Sequence, residues 1–236
     1  MSTSLGQRTN AGAGRCAWLL CAAAALFTAG CALTSKSEPI APRYFSPERP
    51  ADPARANTKP PEASFELRLG RVYGSSHLDE RLVFRDSDYQ LGYYEERRWT
   101  EEPAEYLRRR LARVLFEERG IKHVVGGIGP SLEVELTGFE EIRTPKRVAR
   151  VQMTARLQDA RVVRWEQTMT IDQPISENAT GDVAGSMVAA IGVALSTAVD
   201  QVADRVVADL SSTPLPAPPS IEPPRPPRRP HDSAPR

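Results

Sequence analysis

Ala149-Arg150-Val151-Gln152-Met153-Thr154-Ala155-Arg156-Leu157 puts an apolar side chain at every second position. That is the period of a half-buried β-strand, whose successive side chains point to opposite faces. Asp159-Ala160-Arg161 turns the chain, and Val163, Trp165, Gln167, Met169 and Ile171 then form the next face, with Arg164 and Glu166 opposite. Upstream, Leu132, Val134 and Leu136 alternate with Glu133, Glu135 and Thr137. Paired antiparallel, these three strands make a sheet with one apolar side and one side of acids and arginines suited to cross-strand pairing. The apolar side needs a cover.

A long helix from about Thr180 to Leu210 supplies one. Val183, Met187, Ile191, Leu195, Val199, Val202, Val206 and Leu210 recur every three or four residues, and a helix of that length runs about 45 Å. Its uncharged part, Val183–Val199, is shorter than the roughly 20 residues a bilayer core requires, so a core helix fits better than a span. Gly185, Gly192 and Ser196 would let another backbone approach closely. A second helix carries Ala104, Leu107, Leu111, Val114 and Leu115, with Thr100 or Glu102 as its cap and Gly120 at its stop. Arg108, Arg109, Arg110 and Arg113 lie on its outer surface, where Glu105, Glu117 and Glu118 can pair with them. Strands over 65–72 and 89–94 precede it, separated by the turn-like Asp86-Ser87-Asp88. The expected fold is α+β: a mostly antiparallel sheet with two helices packed on one face.

Both ends of the chain differ in kind from this core. Arg8 and Arg15 precede an apolar run, Ala17–Phe27, and no acid occurs before Glu38. That is the pattern of a secretory signal peptide over 1–30, too short for a transmembrane helix. The leader closes on Leu26-Phe27-Thr28-Ala29-Gly30-Cys31, which resembles a bacterial lipobox, with Thr28 in place of the usual Leu. On that reading Cys31 is acylated, palmitate being one of its chains, and anchors the protein. By the lipoprotein sorting rule, Ala32 after Cys31 points to the outer membrane, periplasmic face. Ordinary cleavage after Ala32 would instead release a soluble protein.

Residues 31–61 hold seven prolines and few large apolar groups, the composition of a tether that cannot offset its ordering entropy. Stretched as polyproline II it would reach roughly 90 Å. From Pro214 to Arg236, ten of 23 residues are proline and arginines outnumber acids. A disordered solubilising tail is the simpler reading, and a polyproline ligand or a contact with anionic wall polymer the alternative. Between the arms, 62–213 has the length of one domain with a real core.

Composition excludes much chemistry. The chain carries 31 Lys and Arg against 30 Asp and Glu, which argues against a nucleic-acid binder. All three cysteines lie at or before Cys31, so the domain has none for a disulfide, a thiolate metal site or a nucleophile. His77 and His123 have no second ligand at metal spacing, and no metal or cofactor is expected. Gly126-Gly127-Ile128-Gly129-Pro130 lacks the Lys-Ser/Thr of a phosphate loop and reads as a turn between strands. The pairs Glu95-Glu96, Glu101-Glu102 and Glu140-Glu141 are of the kind common on solvated surfaces. No enzyme is expected, although a hydrolase with a carboxylate pair stays open.

The region from Leu78 to Gly120 carries a resemblance. Arg85, then Tyr94-Glu95-Glu96-Arg97-Arg98-Trp99, then Glu102-Pro103 and the helix of Leu107, Leu111 and Leu115 resemble the ABC-type transport auxiliary lipoproteins, typified by paraquat-inducible protein C. The likeness extends over roughly 65–210. It implies a non-enzymatic part of a lipid-trafficking machine, with an inner-membrane ABC permease and ATPase and a mammalian-cell-entry (MCE) type substrate-binding protein as partners. Self-association into a homo-oligomer is a further expectation. Arg98 and Trp99, beside Tyr94, are expected to hold the strand-to-helix corner, with Trp99 as interface anchor the alternative. Another envelope assembly or export machine would share anchor and fold class.

Overall fold

The computed structural model describes residues 41–48, 65–127, 129–160, 162–176 and 182–212. The signal peptide, Cys31, most of the tether and the C-terminal arm lie outside them. One mixed sheet of eight strands forms the centre: β1 (Arg43–Phe45), β2 (Glu66–Gly74), β3 (Arg81–Ser87), β4 (Gln90–Trp99), β5 (Lys122–His123), β6 (Ser131–Ile142), β7 (Val148–Gln158) and β8 (Val163–Pro174). Helix α1 (Pro103–Ala112) continues into a π turn, Arg113–Glu118, and α2 spans Val183–Ser212.

The spine is β6. Along one edge it pairs antiparallel with β7 from end to end, and β7 pairs likewise with β8. Its other edge is shared: β2 runs parallel to the first half and β3 parallel to the second. Ser75 N–H continues the ladder onto Leu136 O, and a turn through buried Leu78 leads from β2 into β3. Beyond β3 lie β4, antiparallel to it, and β1, parallel to β4.

Alternation decides what each face carries. Leu132, Val134, Leu136 and Phe139 of β6 lie beside Leu157, Ala155, Met153 and Val151 of β7, and all are buried under the helices. The opposite face carries Arg156–Glu166 and Arg150–Asp172, cross-strand ion pairs of β7 and β8. The fold is the expected one, two helices on one face of a mostly antiparallel sheet. α2 is long and apolar enough to cross a membrane, yet its stripe from Met187 to Leu210 is sealed against the sheet. Asp182 caps it, its carboxylate accepting from Gly185 N–H.

Four readings need correction. Arg81–Ser87 is a full strand, with Leu82 and Val83 both buried on opposite faces, and only Asp88-Tyr89 turns. Neither Thr100 nor Glu102 caps α1 with its side chain. Glu140 and Glu141 are buried rather than solvated. Residues 43–48, read as tether, are folded onto the domain. β1 pairs with Arg97–Trp99 of β4, Thr100 N–H donates to Phe45 O, and Glu48 meets Arg109 at 3.2 Å. The Pro47 carbonyl sits against Gly192 where a Cβ would collide, so the small residue in α2 admits a backbone as expected, and that backbone is the chain's own N-terminal arm.

Candidate functional site

The corner between β4 and α1 holds Arg98 and Trp99 of the residues singled out in the sequence, and the side chain of the third, Tyr94, lies in a second cluster. Arg98 turns back on its own strand, donating to the carbonyls of Tyr94 at 2.8 Å and Arg97 at 3.1 Å. Between Tyr93 and Arg98 the pairing with β3 slips, and this guanidinium spans the irregularity along the backbone of its own strand. Trp99 is 1 % exposed and packs edge-on against Phe139 and Tyr106. Its N–H backbone group bonds Glu80 O. Buried this completely, Trp99 offers no surface to a partner.

Tyr106 was missed by sequence reasoning, which saw only the apolar stripe of α1. Its hydroxyl meets Thr100 Oγ1 at 2.7 Å and accepts from Glu101 N–H at 3.2 Å, fixing the loop that enters the helix. Pro103 occupies the first helical turn with Glu105, and Arg109 and Arg110 occupy the last, each sign on the side the helix dipole favours. The outer arginines are a solvated face: Arg109 pairs with Glu101 and Glu48, and Arg110 and Arg113 with Glu118.

The second cluster lies where β3, β4 and β6 come together. Glu141 is fully buried, sharing its face with Ala149 of β7. It accepts from Tyr94 Oη and Arg147 Nε, and Arg143 stands 3.7 Å away. Arg143 also stacks on Phe84 at 3.5 Å and reaches Asp86 at 3.1 Å. Arg97 lies over the Tyr94 ring at 4.3 Å. Burial pushes the Tyr94 phenol above its ordinary pKa; Arg143 pulls it back and the Glu141 carboxylate pushes it further up.

This arrangement braces rather than reacts. A fully buried carboxylate held by a phenol and a guanidinium, with a second guanidinium beside it, faces the interior and presents no surface to a substrate. Its neighbour Glu140 points to the other face, held by Arg85 through two bonds of 3.0 and 3.2 Å. Adjacent strand residues on opposite faces cannot flank one substrate. Among the described residues no three His, Cys, Asp or Glu side chains gather as a cation site. His123 is exposed and stacks on Phe116, and His77 is half-buried. A shallow cleft between the end of β8 and the first turns of α2 is lined by Gln173, Pro174, Ser186, Ala189 and Val193. Among the described residues its walls carry no charged group.

The family model for the ABC-type transport auxiliary lipoprotein component matches residues 48–207, more than half of the chain and the whole of the corner and brace. The chain belongs to that family. A protein from Xanthomonas campestris shares the fold, with a TM-score of 0.59 at 18 % identity over 71 % of this chain and 96 % of its own. A second solved structure, of an uncharacterized protein, matches with a TM-score of 0.53 at 14 % identity, over 70 % of this chain and 99 % of its own. No curated protein matches. The family's members are lipoproteins that serve ABC transport as auxiliary components, so the domain belongs at an envelope membrane.

Proposed function

We propose that this chain is a lipoprotein anchored through acylated Cys31 in the outer membrane, on its periplasmic face, where it serves lipid transport between membranes. It acts there as a non-enzymatic auxiliary of an ABC permease and ATPase, with an MCE-type substrate-binding protein as its direct partner. The observation that carries this reading is the family match over 48–207, which spans the folded domain rather than a local motif. The lipobox residues before Cys31 supply the anchor. The carboxylates that could have served a hydrolase, Glu140 and Glu141, are consumed in ion pairs on opposite faces. Arg98 and Trp99 are positioning residues of the corner, so the partner surface lies elsewhere on the domain.

The test is affinity capture from crosslinked envelopes with wild type and Cys31→Ala, with mass spectrometry of the partners and of the N-terminus. Acylated Cys31 and recovery of an MCE protein with wild type are expected. An unmodified N-terminus, or partners drawn solely from another envelope machine, would overturn the proposal.

A further inference from the structure

Two of the sheet's long boundary strands carry a short strand of the same chain: β1 lies on β4, and β5 on β2. Among the described residues β8 carries none and pairs with β7 alone, so its outer edge meets no other strand. Edge strands are ordinarily blunted by a lysine, a proline or a bulge. From Trp165 to Asp172 β8 has none of these: its register with β7 runs unbroken, and residues 167–171 hold no charge. Glu166 and Asp172, on either side of that stretch, are taken up by Arg156 and Arg150. An edge of this kind is a template for another strand, with alternate N–H and C=O groups pointing outward.

Beside that edge runs α2. Asp209 near its end meets Arg164 at 2.9 Å, and Ser186, Ala189 and Val193 in its first turns face Gln173 and Pro174, so helix and strand lie antiparallel with a groove between them. The helix leaves this groove open. Trp165 and Met169 are buried, but Gln167, on the same row between them, is exposed, and so are Ala189 and Val193 on the helix. At the Pro174 end the groove deepens into the cleft of about 170 Å³, room for one aliphatic side chain. Neither wall is charged: residues 183–199 of the helix hold no Asp, Glu, Lys or Arg, and neither do 167–171 of the strand. These features select the occupant. Only another extended chain answers a row of alternating N–H and C=O groups; an acyl chain would strip them of water and return no hydrogen bond. A charged segment would lie against walls that offer no counter-charge. Main-chain bonds along an edge, with a pocket for one side chain, make the strand-addition mode of peptide recognition.

We propose that the edge of β8, flanked by α2, receives an extended, uncharged segment of a partner protein as an added strand, with one aliphatic side chain seated between Pro174 and Val193. This surface goes beyond the proposed function and serves whichever envelope machine owns the segment. The test places benzoylphenylalanine at the position of Gln167, or of Val193, in the full chain in living cells, and identifies the photo-crosslinked peptides by mass spectrometry. Both positions are expected to capture one and the same segment of another protein, uncharged over about five residues to match the neutral stretch of β8. Val193→Glu, and separately Ala189→Glu, should cut capture from position 167 by about fivefold or more. Both side chains are exposed, so each variant is expected to keep the wild-type Tm. Adducts to lipid alone, to a second copy of this chain or to a charged segment would overturn the proposal, as would capture unchanged by either glutamate, or no capture at all. Which protein owns the segment bears on the MCE assignment; the chemistry of the segment bears on this one.

Discussion

Glu141→Gln keeps the shape of a buried side chain and removes its charge. The wild-type carboxylate is 1 % exposed, whereas Arg147 and Arg143 are 36 % and 33 % exposed at their side chains. Stranding a fully buried partner costs about 3–5 kcal/mol, but these guanidiniums can turn to water, so the full figure does not apply. What is lost is the charged character of the hydrogen bonds, each worth about 1.5–3 kcal/mol, while the Gln oxygen retains a neutral bond from Tyr94. The net expectation is about 2 kcal/mol, or a fall in Tm of roughly 4–8 °C for a domain of this size. Glu166→Gln is the control. Its bond to Arg156 lies on the open face, both side chains nearly half exposed, and should be worth less than about 1 kcal/mol. Trp99 and Trp165, both buried, report unfolding by fluorescence in urea, and the midpoint should fall with an unchanged slope. Equal shifts for the two variants would refute the brace.

The same cluster yields a pH effect. The folded Tyr94 phenol titrates above its unfolded value of 10.0, chiefly because it is buried, so the native state holds its proton longer than the unfolded chain. Stability is full below about pH 10 and declines as pH rises through the folded value; Tyr94→Phe should make that decline shallower in alkaline urea titrations. Gly92→Ala would push a Cβ into the Phe84 ring, which Arg143 covers from the other side, and a loss of about 1 kcal/mol is expected in the same assay. Gly192→Leu meets the Pro47 backbone, which cannot swing aside as a side chain can. Amide exchange in 43–48 should accelerate strongly while the β6–β7 ladder keeps its protection; uniform loss of protection would show that the arm is integral to the core.

The strands that were plain in the sequence are those with one wet face. Val151, Met153 and Ala155 alternate with charged and polar partners because only one side of β7 is covered. β3 has no such signature: Leu82 and Val83 are buried on both faces and read as a short apolar run. β1 is three residues among prolines, and nothing local distinguishes it from a tether; its strand character comes from the edge of β4. The Glu140-Glu141 pair looked like surface because burial of a carboxylate depends on cations 55 residues away or across a hairpin, Arg85 for one and Arg147 for the other. Tyr106 hid within a helical stripe where its ring, not its hydroxyl, set the pattern.

A load applied along the anchor would meet β1 first. Three register positions hold this strand to β4, against eleven between β6 and β7 in the core, so it is the weakest link in series with the pulling direction. Its release would add the contour of residues 43–64, 22 residues and roughly 75 Å of chain, before any core strand bore tension. In single-molecule extension from the N-terminus, that would register as one small, low-force step ahead of the main rupture. An envelope protein built this way would have two working lengths, with β1 as the catch between them.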